Sequence, residues 1–167
     1  LGIGVVYIKH YAFNDSETGC CCISTFLNKQ AAHEVYLKPF EIAVVEGGAK
    51  CVMNVFARVG TTWSGAHKGL MTEILRNEWG LDGFVLTDFS GNSAFAAYGI
   101  MLRSFDVAHG VLAGTNGWDS SAEQWTDDLM TKYKDDPAIA HALRESRHRV
   151  MYTVANSHAM NGLSSSA

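Results

Sequence analysis

Three short apolar runs, each followed by a helical pattern, constrain this chain more than any other feature. They are Gly4 to His10 ("GVVYIKH"), Lys50 to Phe56 ("KCVMNVF") and Gly83 to Asp88 ("GFVLTD"). Their apolar residues are consecutive rather than alternating, which fits strands covered on both faces. From about Asn28 to Glu46 the spacing is helical, with Tyr36, Leu37, Phe40, Ala43 and Val44 on one face. Pro39 predicts a break or a fresh first turn there, and Gly47-Gly48 a stop. Leu70, Met71, Ile74 and Leu75 mark a second helix, closed by Gly80. Ser104 to Ala113 reads as a short helix and Thr115 to Trp118 as a weak strand. A last helix is expected over Pro137 to His158, with Ile139, Leu143, Val150, Met151 and Val154 recurring at helical spacing. Asp135-Asp136-Pro137 is a good start for it, an acid before a first-turn proline. Strand, helix, strand, helix, strand predicts a parallel α/β sheet.

Composition removes several function classes. The 167 residues carry a formal net charge of −4, which offers no footprint for nucleic acid or an anionic membrane. No apolar run approaches the about 20 residues of a membrane helix. Neither a G-x-G-x-x-G nor a P-loop is present, so no nucleotide cofactor is indicated. Of the 4 cysteines, three are consecutive (Cys20-Cys21-Cys22) and Cys51 lies in an apolar run. None has the spacing of a zinc site, so free thiols are expected, with no metal and no cofactor. The opening "LGIGVVYIKH" reads as a strand already under way, as if the chain started inside something larger. Residues 1–160 are expected to form one domain, and 161–167 ("NGLSSSA" ends there) a frayed tail or the start of a linker.

Each apolar run ends on polar residues. Lys9, His10, Asn14, Asp15, Arg58 and Asp88 all fall at or just past the end of an expected strand. In parallel α/β folds the C-terminal edge of the sheet is where sites are built. A single such residue is readily a cap or a solvated loop residue. Three consecutive strands ending this way point to a polar pocket over an apolar core.

The stretches "IKHYAFNDSET", "EVYLKPFEIAVVEGGAKCVM", "LMTEILRNEWGLDGFVLTDF" and "VMYTVANSHAMNG" together resemble glycoside hydrolase family 3, the β-glucosidase family. The resemblance covers nearly the whole chain, in the family's order and spacing. It implies a half of a TIM-type (β/α)8 barrel, with about four parallel strands and covering helices, corresponding to the barrel's C-terminal half. It implies retaining hydrolysis of a β-glucoside or oligosaccharide, with Asp88 as the nucleophile that forms a covalent glycosyl-enzyme. Lys9 and His10 match the family's Lys-His pair, which hydrogen-bonds sugar hydroxyls. Met53 and Phe56 match residues lining the glycone pocket, Arg58 joins them at the strand end, and Phe89 matches an aromatic sugar platform.

The departures from the family pattern are specific. Phe56 stands where Tyr is usual, and Ala57 where Asn often follows. Glu17-Thr18-Gly19-Cys20 lacks an expected Arg, His33 replaces another, and Ala113-Gly114-Thr115-Asn116-Gly117 replaces "AGNDL". The family's general acid/base sits on a later domain in many members, and the first barrel half supplies further pocket residues. Asp15, Glu17 and Asp82 are weak candidates for that acid. The chain is therefore expected to need the other barrel half and an acid/base domain, or a partner chain, for full chemistry. The alternative is an inactive half barrel that binds sugar weakly or assembles with a partner. An open half barrel also exposes strand edges, so self-association is expected. The remaining histidines, His33, His67, His109, His141, His148 and His158, read as surface or helix-end residues.

Overall fold

A computed structural model describes residues 5–16, 18–20, 23–88, 110, 112–114, 133–157 and 160. Among these residues six strands follow in chain order: β1 (Tyr7–Tyr11), β2 (Ser24–Thr25), β3 (Cys51–Asn54), β4 (Arg58–Val59), β5 (Thr62–Trp63) and β6 (Val85–Leu86). The three expected strands β1, β3 and β6 form one sheet in that order, and both pairings are parallel. This is the parallel α/β arrangement the sequence predicts. A second, smaller sheet was not foreseen. It pairs β2 with β4 in parallel and β4 with β5 antiparallel, beside the main sheet. The expected weak strand at Thr115 to Trp118 lies outside the described residues, as does most of the Ser104 to Ala113 helix.

The strands are shorter than the apolar runs. β6 spans Val85–Leu86 rather than Gly83 to Asp88, because its register on β3 is Val52 with Val85 and Met53 with Leu86. Past that point β3 ends at Asn54, and the Asp88 backbone N–H donates instead to the Asn54 side-chain Oδ1 at 3.3 Å. Before β6, Gly83 passes so close to the start of β3 that a Cβ there would lie 1.7 Å from the Lys50 carbonyl oxygen. Only glycine fits such an approach. β1 begins at Tyr7, and its Lys9–His10 and Tyr11–Ala12 peptides are cis.

The helical run after β2 comes in two parts. Lys29–Ala31 continues into Ala32–Tyr36, and Lys38–Glu41 into Ile42–Glu46. Asn28 caps the first part, its Oδ1 accepting from Ala31 N at 2.8 Å. Pro39 lies in the first turn of the second part, the fresh start its rigid φ predicts. Gly48, at φ +65°, ends the run. The next helix is Gly69–Glu78, closed by a wide turn in which Trp79 N donates to Ile74 O at 3.0 Å. The last helix is Pro137–Ala155, whose N-cap Asp136 accepts from Ala138 N and Ile139 N.

The core lies between the main sheet and these helices. Tyr11, Leu37, Val52, Met71, Leu75 and Val85 have no exposed surface. Burying side chains of this size stabilises by about 2 kcal/mol each. Tyr11 ties three elements together. Its ring meets Phe40 and Trp79 edge to face, and its hydroxyl donates to Leu70 O at 3.1 Å. The last helix corrects one expectation. Its buried residues are Ile139, Ser146 and Thr153, seven apart, whereas Met151 is 70% exposed and Val154 47%. The small Thr153 side chain sits against Gly83, and a bulky residue on that face would not fit there.

Candidate active site

The site begins with an irregularity in β1. Ile8 pairs with Val52 and Tyr11 with Asn54, so two residues, Lys9 and His10, face the single Met53. One extra residue in a ladder is a β-bulge, which re-aims the side chains it carries. Here it lets Tyr11 enter the core while His10 stays half-buried at the end of the sheet and Lys9 is exposed.

His10 reaches the carboxylate of Asp88. Its Nε2 lies 3.0 Å from Asp88 Oδ2, and each side chain is about one fifth exposed, at 19% and 20%. The other ring nitrogen, Nδ1, is 3.3 Å from Asn14 Nδ2. Asp88 is therefore held from two directions, through its backbone by Asn54 and through its carboxylate by His10. Asn54 was not foreseen as a site residue. It is wholly buried, and its Nδ2 has no hydrogen-bond partner among the described residues. A polar residue in the middle of the apolar "KCVMNVF" was the available signal, since buried amides require partners.

The other foreseen residues are distributed unevenly. Lys9, His10, Asn14 and Asp15 line one cleft of about 500 Å³, closed on its far side by Tyr36 and Phe40. Met53 lies in β3 in register with Leu86, two residues before Asp88. Phe56 follows β3 and is half-buried. Arg58 belongs to β4 in the side sheet, where its Nη1 lies 3.4 Å from Thr61 O. That sheet is anchored on the loop after β3. Trp63 Nε1 and Ser64 Oγ both donate to Val55 O, at 2.9 and 3.0 Å. Phe89 and Glu17 lie outside the described residues. Asp82 lies at the opposite end of the sheet, exposed and paired with Lys50 at 2.9 Å. A second cleft of about 470 Å³ at that end is lined mainly by apolar or small residues, including Val5, Val6, Ile8 and Ala43, and lacks the carboxylate chemistry.

Arg76 holds the chain on its approach to β6. This arginine of helix Gly69–Glu78 donates from Nη1 to Leu81 O and Gly83 O, at 3.3 and 2.9 Å, and from Nη2 to Gly114 O at 2.8 Å. Burial lowers its pKa to about 9, with Arg149 nearby acting in the same direction. Thr72 adds a bond to Ala113 O at 2.7 Å. Among the described residues no three His, Cys, Asp or Glu side chains converge in a way that could hold a metal ion.

A carboxylate at the C-terminal edge of a parallel sheet, paired with a histidine beside a polar cleft, places this chain among α/β proteins with a candidate site at the usual edge. The comparisons with known proteins make the class specific. Residues 5–155 match the glycosyl hydrolase family 3 N-terminal domain, and the chain belongs to that family. It is 32% identical to a β-glucosidase of Ruminococcus albus, over 92% of this chain and 16% of the relative. β-Glucosidase 3B of Thermotoga neapolitana, solved with glucose, superposes with a TM-score of 0.76 at 21% identity, over 92% of this chain and 21% of that one. A family 3 β-glucosidase of Bifidobacterium adolescentis gives a TM-score of 0.71 at 25% identity, over 90% of this chain and 20% of that one. The chain thus spans about one sixth of the length of the first of these relatives.

Proposed function

We propose that this chain carries the nucleophile side of a retaining β-glycosidase site that acts on β-glucosides or related oligosaccharides. The observation that carries the reading is the Asp88 carboxylate, just past β6 and 3.0 Å from His10 Nε2, in a chain of this family. The chemistry follows from the group. Asp88 attacks the anomeric carbon as the bond to the leaving oxygen breaks, and a glycosyl ester forms. Water then attacks the same carbon and frees both sugar and carboxylate. A hydrogen bond from His10 holds the carboxylate in one orientation while leaving it ionised. Lys9 would bind sugar hydroxyls at the cleft, with His10, Met53, Phe56, Arg58 and Phe89 forming further substrate-binding walls of the pocket. The general acid/base and the remaining pocket residues come from outside this chain, consistent with its share of the relatives' length. In this reading β1, β3 and β6 are consecutive strands of the C-terminal half of a (β/α)8 barrel. Residues 1–160 are its domain in this reading.

The test is covalent trapping. A 2-deoxy-2-fluoro glucoside with a dinitrophenolate leaving group departs without protonation, so it requires no acid. The fluorine slows the second step, so the ester persists. The reading requires a single adduct in the intact mass, mapping to Asp88 and absent from Asp88→Ala. A folded chain that forms no adduct would favour the other reading, an inactive half barrel that binds sugar weakly or assembles with a partner.

A further inference from the structure

We infer that Asn14 fixes the tautomer of His10, so that the neutral ring presents an Nε2–H to the Asp88 carboxylate. In its catalytic consequence this rests on the reading of Asp88 as nucleophile, but the tautomer itself does not. The argument uses two distances. Asn14 Nδ2 lies 3.3 Å from His10 Nδ1, and His10 Nε2 lies 3.0 Å from Asp88 Oδ2. A neutral imidazole carries one N–H and one bare nitrogen, and an amide –NH2 can only donate. With Asn14 donating, Nδ1 is the bare nitrogen and the proton sits on Nε2, facing a carboxylate that can only accept. The two contacts agree on one tautomer. The opposite tautomer would place the Nδ1 proton against an –NH2 group and the Nε2 lone pair against Asp88, losing both bonds. Turning the Asn14 amide over would restore both only if the ring were a full cation.

This makes Asn14 a positioning residue that acts through His10. Lys9 and Asp15 are the charged residues besides His10 that line the same cleft among the described residues. A neutral donor aligns the Asp88 carboxylate without setting a full positive charge against it, which leaves its nucleophilicity intact. A histidine that acts in this way needs its other nitrogen assigned, much as the partner of a ligating histidine fixes its tautomer.

The experiment is two-bond proton–nitrogen correlation on the uniformly ¹⁵N-labelled chain at neutral pH, with the His10 peaks assigned by their loss in His10→Gln. The expected pattern is a bare Nδ1 and a protonated Nε2. Asn14→Asp has the same shape but only accepts, and with acceptors at both ring nitrogens it should add a proton on Nδ1 beside the one on Nε2. Asn14→Ala should give a mixture of tautomers. In the trapping assay Asn14→Asp should form the Asp88 adduct roughly 10-fold to 100-fold more slowly, since small misplacements of a reacting group cost rate on this scale. A wild-type ring protonated on Nδ1, or on both nitrogens, overturns the inference. So does an unchanged pattern in Asn14→Asp that is folded by circular dichroism. If Asn14→Asp does not fold, the wild-type and Asn14→Ala spectra decide. If the wild-type chain forms no adduct, the glycosidase reading fails while the spectra still decide the tautomer.

Discussion

His10 Nε2 and Asp88 Oδ2 are 3.0 Å apart although their strands are not neighbours. β3 lies between β1 and β6 in the sheet, and adjacent strands are about 4.8 Å apart. The contact therefore spans the sheet's middle strand at its C-terminal end. It is possible because the bulge at Lys9 and His10 turns the ring out of the ladder. His10→Ala should remove this clasp on the Asp88 carboxylate. Trapping at Asp88 is expected to slow roughly 10-fold to 100-fold. The cost in stability should be about 1 kcal/mol. Rate of adduct formation by mass and a urea melt on the same protein check the two effects separately.

Gly83→Ala should be among the most damaging single changes. The added Cβ would lie 1.7 Å from Lys50 O and 3.2 Å from Thr153 Oγ1. The backbone oxygen cannot move aside without shifting β3. A loss of about 3 kcal/mol or more is expected, with β6 displaced and Asp88 with it. A thermal melt indistinguishable from wild type would refute this.

Cys51 should behave as a buried thiol. It has no exposed surface, and burial pushes its pKa from 9.0 to about 11. The folded thiol thus keeps its proton where the unfolded one has lost it. Stability from this group is full below pH 9 and falls as pH rises from 9 to 11, by roughly 3 kcal/mol across the interval. Melts at pH 8 and pH 10.5 should diverge in the wild-type chain and diverge less in Cys51→Ala. A disulfide reagent at pH 8 should leave Cys51 unmodified in the native state, which peptide mapping would report.

Asp82→Asn should change little. Its partner Lys50 is exposed, and surface ion pairs contribute from about 0 to 1 kcal/mol. Adduct formation at Asp88 should match wild type, because Asp82 sits at the other end of the strands. A large loss of trapping in Asp82→Asn would contradict its distance from the chemistry.

The isolated chain should self-associate. Among the described residues β1 is an outer strand of the main sheet, paired with β3 alone, and such an edge invites pairing with another chain. Sedimentation velocity is expected to show a dimer or larger species. A monodisperse monomer that melts cooperatively would overturn this.

Much of the main sheet and its helices was legible because short-range rules govern them. Continuous apolar runs gave β1, β3 and β6, and Pro39, Gly48 and Asp136 punctuated the helices where backbone chemistry requires. The ends of the strands were not legible. They depend on register, and register depends on the bulge at Lys9 and His10, which no local pattern announces. The side sheet escaped for the same reason, since its strands are two residues each and exist through pairing rather than periodicity. Asp88, Lys9 and His10 could be named from motif. Asn54 could not, because its role appears only where β6 outruns β3 and a backbone N–H needs an acceptor.

Arg76 grips three carbonyl oxygens and, through those bonds, no side chain. A peptide carbonyl is present whatever amino acid occupies the position. The hold on the approach to β6 is therefore blind to the identity of Leu81, whose side chain can be exchanged without loosening that bond. The corresponding vulnerability sits in one place. Replacing Arg76 with lysine keeps a cation but removes the fork that spans separate carbonyls. The grip itself thus makes its sequence demand at Arg76 alone, while Gly83 is held to glycine by a separate constraint, its approach to Lys50 O.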